Sequence, residues 1–265
     1  MNTKHILPVY IVNAFTRDQF AGNPAAVVPL KEWLPDETMQ QIAAQHNLSE
    51  TSFIVEQDEG YSIRWFTPGV EVDLCGHATL AAAHIFFTSL GYAKEKISFQ
   101  SRSGVLHVLN KGDGKLTLDF PSNEPVEVEP LESIEQGLGI KPISQFQSTF
   151  DYMAVFENQK QIERLDPDFS ILAKIPARGL ITTAPGDYCD FVSRCFYPQS
   201  GINEDPVTGS AHTIMTPYWS RKLNKKRLKA VQISARKGWL DCEWRGDRVL
   251  ISGEAITYLE GRIFL

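Results

Sequence analysis

Two short stretches of the chain hold the side chains best suited to chemistry. In Asp73-Leu74-Cys75-Gly76-His77-Ala78-Thr79-Leu80 a thiol and an imidazole stand two residues apart, at the mouth of an Ala-rich segment that continues to Phe87. A thiol beside an imidazole can act as a nucleophile, carry protons or ligate a metal. In Glu204-Asp205-Pro206-Val207-Thr208-Gly209-Ser210-Ala211-His212 two carboxylates and two hydroxyls precede or open a second helical segment. A helix start near glycine offers backbone N–H groups that lack intrahelical partners, together with a partial positive charge, and so suits a carboxylate. His77 at one entrance, and Asp205, Thr208 and Ser210 at the other, are the side chains available to grip a small acid. The same residues also suit a purely structural role, with Thr208 or Ser210 as an N-cap and Asp205 as a turn residue.

A metal site is not expected. His84 lies seven residues beyond His77, about two helical turns away and too far to share one zinc ion with Cys75 and His77. His5, His46, His107 and His212 form no HxH or HxxxH pair, and no GxGxxG or GxxxxGK pattern supports a nucleotide. Cys189, Cys195 and Cys242 fall in strand-like runs away from the motif, where small buried hydrophobes are the default. Cys75 remains open as a nucleophile, because a helix N-terminus lowers a thiol pKa.

The elements that must position these residues repeat. Trp65-Phe66-Thr67-Pro68 precedes Cys75-Gly76-His77-Ala78 as Cys195-Phe196-Tyr197-Pro198 precedes Pro206-Val207-Thr208-Gly209, with a one-residue gap. Each copy reads as strand, proline turn, loop and helix start, which implies two similar lobes whose helix starts face each other across a cleft. Between and around them the pattern predicts strands at 9–15 and 25–30, a helix at 36–45, and strands at 51–55 and 61–66 about a hairpin turn at Asp58-Glu59-Gly60. Strands at 105–109 and 116–120 follow. The Pro- and Glu-rich run at 122–130 reads as a linker. Beyond it the pattern predicts a helix near 134–139, strands at 152–156, 180–183 and 189–196, and a helix from Gly209 to about Leu223 that bends or pauses at Pro217. Antiparallel strands at 231–234, 239–244, 249–252 and 255–258 close the chain.

Composition narrows the class. The chain has 265 residues, 43% hydrophobic and 22% charged, with a net charge of −6, which describes an ordinary globular protein of one large or two compact domains. The acidic balance disfavours nucleic acid, and the basic run at 221–229 reads as a solvated helix end. The four cysteines form no CxxC pair, which suits a reduced, cytoplasmic setting. Pro8 interrupts the apolar N-terminus, which reads as a first strand rather than a signal peptide, and no apolar run approaches the ~20 residues that cross a bilayer.

Asn13-Ala14-Phe15-Thr16 with Phe20-Ala21-Gly22-Asn23-Pro24-Ala25, then Leu48-Ser49-Glu50-Thr51-Ser52-Phe53, then the Cys75 and Asp205 stretches, run in order across most of the chain. Together they resemble the phenazine biosynthesis PhzF-like family. The resemblance implies the diaminopimelate-epimerase fold, an α+β architecture of two pseudo-equivalent lobes. Each would be a mixed, mainly antiparallel β-barrel around a central helix, with the active site between them. The lobes are expected at 1–121 and 122–265, with the last strand able to return to the N-terminal lobe. Glu50 matches the family's catalytic glutamate, which moves a proton between carbon positions of a cyclohexadiene amino acid without metal or cofactor. His77, Asp205 and Ser210 match residues that hold the substrate, Gly76 and Gly209 match glycines of close approach at the helix starts, and Cys75 and Thr208 are expected to line the pocket. A carboxyl group withdrawn from water can keep a proton for delivery near neutral pH. Glu50 stands where a helix ends and a β-run begins; the residue alone would read as a surface glutamate.

Racemases and epimerases of the same fold use two opposed cysteines. Here the first position is Cys75 and the second, by the internal echo, is Pro206, which cannot transfer a proton. The expectation is therefore a cofactor-independent isomerase of a small cyclic or amino-acid-like acid. Its alternatives are a metabolite- or partner-binding module with a silent pocket, and an epimerase that pairs Cys75 with Glu50. Relatives are commonly homodimers; neither nucleic acid nor a membrane is an expected partner.

Overall fold

The computed structural model describes residues 6–57 and 60–265, and the chain divides into two compact units. One runs up to Asp119 and resumes at Ser252–Leu265; the other is Phe120–Ile251.

In the first unit the strand Ile6–Ala14 pairs antiparallel with both Asn23–Leu30 and Ala255–Phe264. Asn23–Leu30 then pairs parallel with Glu50–Gln57, and a parallel pair requires a crossover. Helix α1 (Asp36–His46) supplies it. Asp36 and Glu37 suit its positive start. Its buried Met39, Ile42 and Ala43 pack on Val28, Phe53 and Val55 of the two strands, each larger side chain contributing ~1.5–3 kcal/mol. Asn47, at φ 52°, ends the helix in the left-handed conformation, and its backbone N–H returns to the Ala43 carbonyl. Three residues later the chain enters the next strand at Glu50.

Glu50–Gln57 pairs antiparallel with Gly60–Phe66; Asp58 and Glu59 of the expected hairpin turn lie outside the described residues. Helix α2 (Gly76–Thr88) is buried at every position from Gly76 to Ala83. It meets the strands Ile6–Ala14, Asn23–Leu30, Glu50–Gln57, Gly104–Asn110 and Ala255–Phe264, as an all-round apolar helix must. Its alanines keep it slim enough for that position. Lys96–Ser101, which the sequence reading passed over, pairs antiparallel with Gly104–Asn110 and parallel with Gly60–Phe66.

In the second unit the expected linker instead contributes Val126–Glu127, a short strand paired with Ser144–Gln147. Helix α3 (Glu132–Leu138) follows it. Asp151–Val155 pairs parallel with Gly179–Pro185, and the crossover contains two unanticipated helices, α4 (Gln159–Glu163) and α5 (Phe169–Leu172), capped by the side chains of Asn158 and Asp168. Phe191–Tyr197 pairs antiparallel with Gly179–Pro185 and Ile202–Asp205. Helix α6 (Gly209–Leu223) then runs through Pro217 without interruption. The Thr213 carbonyl, which Pro217 cannot serve, accepts the backbone N–H of Asn123 at 3.1 Å.

The basic run is a helix end only in part: Arg221 and Lys222 lie in the last turn of α6. Asn224, at φ 51°, stops α6, and Arg227–Gln232 is a strand with exposed Arg227 and Lys229 alternating with buried Leu228 and Ala230. It pairs antiparallel with Gly238–Trp244 and parallel with Phe191–Tyr197, where antiparallel pairing alone was expected. The whole is a mixed α/β fold built on mixed sheet. Among the described residues no helix is long and apolar enough to cross a membrane.

Candidate active site

In the first unit three elements bring their first residues together. Asn23 opens one strand and Glu50 the parallel strand beside it, with Glu50 level with Ala25. His77 is the second residue of α2, which packs on the same strands. Gly22 makes the entry possible: its φ is 70°, and a Cβ there would lie 2.3 Å from the Ala14 carbonyl oxygen.

His77 is the hub. Its Nε2 lies 3.1 Å from Glu50 Oε2, and its Nδ1 faces Cys75 Sγ at 3.5 Å and Asn23 Nδ2 at 3.3 Å. Cys75 precedes α2 at the N-cap position without capping it through its side chain. Glu50 Oε2 and His77 Nε2 are close enough for an ion pair but not aligned as a hydrogen bond, and both are buried with no other hydrogen-bond partner. An amide nitrogen can only donate, and a thiol donates when protonated. In the neutral ring Nδ1 is therefore the acceptor and Nε2 carries its proton toward Glu50.

Burial works against the imidazolium of His77, but the charges of Cys75 and Glu50 more than offset it and hold its pKa above the ordinary value. Burial and the Glu50 carboxylate push the Cys75 thiol up to about 11, against the opposing pull of His77. This corrects the expectation of a helix-activated thiol: the loss of solvent outweighs the helix start. With the thiol protonated near pH 7, Glu50 is the partner that keeps His77 raised there.

Glu50, Cys75 and His77 also place one donor atom each within 4.8 Å of one another. Sequence spacing relates only Cys75, His77 and His84; the fold adds Glu50. His84 instead bonds Thr257 Oγ1 at 3.0 Å. An ion among the three would need the Cys75 proton removed and would break a contact of His77, since Cys75 and Glu50 use opposite ring nitrogens.

The second unit gathers Asp205, Thr208, Gly209 and Ser210 at the start of α6. Thr208 occupies the N-cap position, but its hydroxyl turns to Asp205 Oδ2 rather than capping the helix. Buried Gln232 ties the turn together, donating to the Asp205 carbonyl at 2.6 Å and accepting from the Thr208 N–H at 2.8 Å. Cys195 stands opposite Asp205 in the strand register, so it is not remote from the motif as its sequence position suggested; burial pushes its thiol well above the ordinary value. Arg178 Nε donates to Asp151 Oδ1 at 2.9 Å, while Nη2 reaches Asp151 Oδ2 and Ser210 Oγ, the latter at 3.2 Å. His212 is fully buried, and its Nδ1 lies 2.8 Å from the Thr208 carbonyl.

Asn23, Asp151, Arg178 and Gln232 are not among the candidate residues marked by sequence. Asn23 had a signal, because it lies in the Phe20–Ala25 motif. Arg178, Asp151 and Gln232 carry none, since they reach the start of α6 only through sheet pairing.

The sequence model of the phenazine biosynthesis-like proteins (PhzC-PhzF) matches residues 12–261. The chain belongs to that family. It is 50% identical over 259 residues to an uncharacterized isomerase of Pseudomonas aeruginosa, covering 98% of this chain and 99% of that protein. A crystal structure of a PhzF-family protein from Enterococcus faecalis superposes with a TM-score of 0.95 at 44% identity, over 98% of this chain and all of that one. The fold extends to a hydroxyproline epimerase from Agrobacterium vitis, crystallised with trans-4-hydroxy-L-proline, at a TM-score of 0.67 and 10% identity. This phenazine biosynthesis-like protein is thus a member of an isomerase-like family with an epimerase-related fold.

Proposed function

We propose that this protein is a cofactor-independent isomerase that moves a proton on a small cyclic or amino-acid-like acid, with Glu50 as the acid/base. The observation that carries the reading is the pair of buried, unaligned atoms at 3.1 Å, Glu50 Oε2 and His77 Nε2. Leaving buried polar groups without hydrogen bonds costs roughly 1–3 kcal/mol each, and a substrate that supplies the missing partners recovers it. The Glu50 carboxylate takes a proton from a carbon next to an unsaturated group. The C–H electron pair moves into the conjugated system, and the Glu50 carboxyl returns the proton at another carbon. His77, whose Nε2 bears a proton in both of its states, donates a hydrogen bond and does not compete for the transferred proton.

The barrel around a central helix in each unit belongs to the same proposal by family likeness. Gly76 and Gly209 are then the points of close approach, and Asp205 and Ser210 hold the substrate's polar groups. A Cys75 thiol pushed up to about 11 speaks against the epimerase that pairs Cys75 with Glu50. The test is carbon-bound deuterium incorporation in D2O, followed by NMR over a panel of cyclic and amino-acid-like acids. Incorporation that disappears in Glu50→Gln supports the reading; incorporation untouched by that substitution, or absent from the whole panel, sinks it.

A further inference from the structure

We propose that the first unit carries a second ligand site, at the end of α2 away from Glu50 and His77, which takes a zwitterion with an aromatic ring. A groove of about 450 Å³ opens there, lined by Leu30, Glu56, Tyr61, Phe86, Tyr92 and Lys94, and its volume suits a small molecule. Glu56 lies six residues beyond Glu50 on the same strand, about 20 Å along it. Phe86 lies nine residues beyond His77 on α2, about 14 Å along the axis. The groove is therefore separate from the Glu50–His77 pair.

The turn after α2 builds the aromatic floor. The backbone N–H groups of Leu90 and Tyr92 donate to the Ile85 and Phe86 carbonyls at 3.0 and 2.9 Å. Gly91, at φ 69°, reverses the chain between them. The return sets the Tyr92 ring centroid 6.4 Å from Phe86 and 6.0 Å from Tyr61, while those of Tyr61 and Phe86 lie 4.3 Å apart. Tyr92 Oη donates to the Lys96 carbonyl at 3.0 Å, which fixes its ring.

Strand alternation brings a carboxylate to these rings. Phe53 and Val55 pack with α1, so Ile54 and Glu56 point to the opposite face. Glu56 stands directly across from Tyr61 in the antiparallel register, on the face where Tyr61 meets Phe86 of α2. Burial, and after it the Glu56 carboxylate, push the Tyr61 hydroxyl above its ordinary pKa. Among the described residues the side chains of Glu56 and Lys94 make neither a hydrogen bond nor an ion pair. A carboxylate beside aromatic rings suits an ammonium group on an aromatic body, and Lys94 supplies a cation for a carboxylate on the same molecule. A ligand with one sign of charge would meet a like charge at one of the two.

The experiment titrates the isotope-labelled full chain with L-phenylalanine, with phenethylamine, which lacks the carboxylate, and with hydrocinnamate, which lacks the ammonium. The backbone amides of Gly91 and Tyr92, followed by NMR, report this groove, and that of Gly76 reports the other end of α2. L-phenylalanine should bind the groove about two- to fivefold more tightly than either fragment, the scale of an exposed ion pair. Glu56→Gln should abolish its advantage over hydrocinnamate, and Lys94→Gln its advantage over phenethylamine. Both residues are exposed, so neither substitution threatens the fold. The proposal is overturned by no saturating shift at Gly91 and Tyr92 with any probe, by a fragment that binds as tightly as L-phenylalanine, or by an advantage that survives its substitution. No turnover is measured and Glu50 is untouched, so such a result leaves the isomerase reading standing, and a failed deuterium exchange leaves this one standing.

Discussion

His77 and His212 each lie within the first turn of a buried helix, α2 and α6, and their pKa values move in opposite directions. Burial lowers both. For His212 only the Thr208 carbonyl opposes it, and the pKa falls to about 4. For His77 the Cys75 and Glu50 charges win, and the pKa rises. Two helix starts that echo each other in sequence therefore hold a neutral, pinned ring in one unit and a charge-supporting ring in the other. Similar local sequence sets the position of a side chain; the neighbours delivered by other elements set its chemistry. The same contrast separates the first unit's unaligned Glu50–His77 pair from the second unit's web of Gln232, Thr208 and Asp205, where bonds are already made. The first arrangement suits proton transfer and the second suits holding.

The sharpest way to break this comparison is Glu50→Gln. If the first unit carries the chemistry, deuterium exchange should fall about 10²- to 10⁴-fold, the usual worth of a positioned acid/base; NMR reads it directly. Arg178→Met, which leaves the fully buried Asp151 without its cation, should instead destabilise the fold by about 3–5 kcal/mol in urea denaturation. A much smaller loss would show that the second unit is less tightly tied than its bonds suggest.

The histidines themselves give a pH test with opposite signs. His212 titrates lower folded than its ordinary 6.5, so below pH 6.5 the unfolded chain binds the extra proton. Its contribution is complete above 6.5 and lost as pH falls toward about 4, a change of about 3 kcal/mol. His77 titrates higher folded than unfolded, so its contribution is complete below 6.5 and lost as pH rises through the folded value. Compared by unfolding free energy across pH, the gap between the wild type and His212→Gln should therefore close as pH falls from 6.5 toward about 4, and the gap between the wild type and His77→Gln should close as pH rises above 6.5. The smallest effect concerns Cys75: at about 11 and nearly buried, it should resist alkylation by iodoacetamide in the folded protein near neutral pH, as followed by mass spectrometry. Rapid alkylation would restore the thiol as a chemical group.

Much of the fold was legible where periodicity is long. The strand at the N-terminus, helix α1, the Ala-rich α2 and the start of α6 all follow from residue pattern and local stop signals such as Asn47 and Asn224. Short elements were not: α4 and α5 are too brief to show a helical period, and their starts depend on single capping side chains, Asn158 and Asp168. In the basic run at 221–229 the helix end at Arg221 and Lys222 is legible, but charge masks the strand alternation of Leu228 and Ala230 beyond it. The break expected at Pro217 did not occur because Asn123, ninety-four residues earlier, serves the freed carbonyl.

The motif order by itself determined the family and named Glu50, His77, Asp205 and Ser210 as candidates. What only the tertiary structure decided was their company. It put Cys75 and Glu50 on opposite nitrogens of one imidazole, turned Thr208 from cap to Asp205 ligand, and brought Asp151 and Arg178 to Ser210. Sequence spacing encodes which residues share a helix face or strand edge, but solvent exclusion and charge pairing come from elements distant along the chain. Those long-range neighbours determine whether a buried thiol stays protonated and whether a buried histidine carries charge.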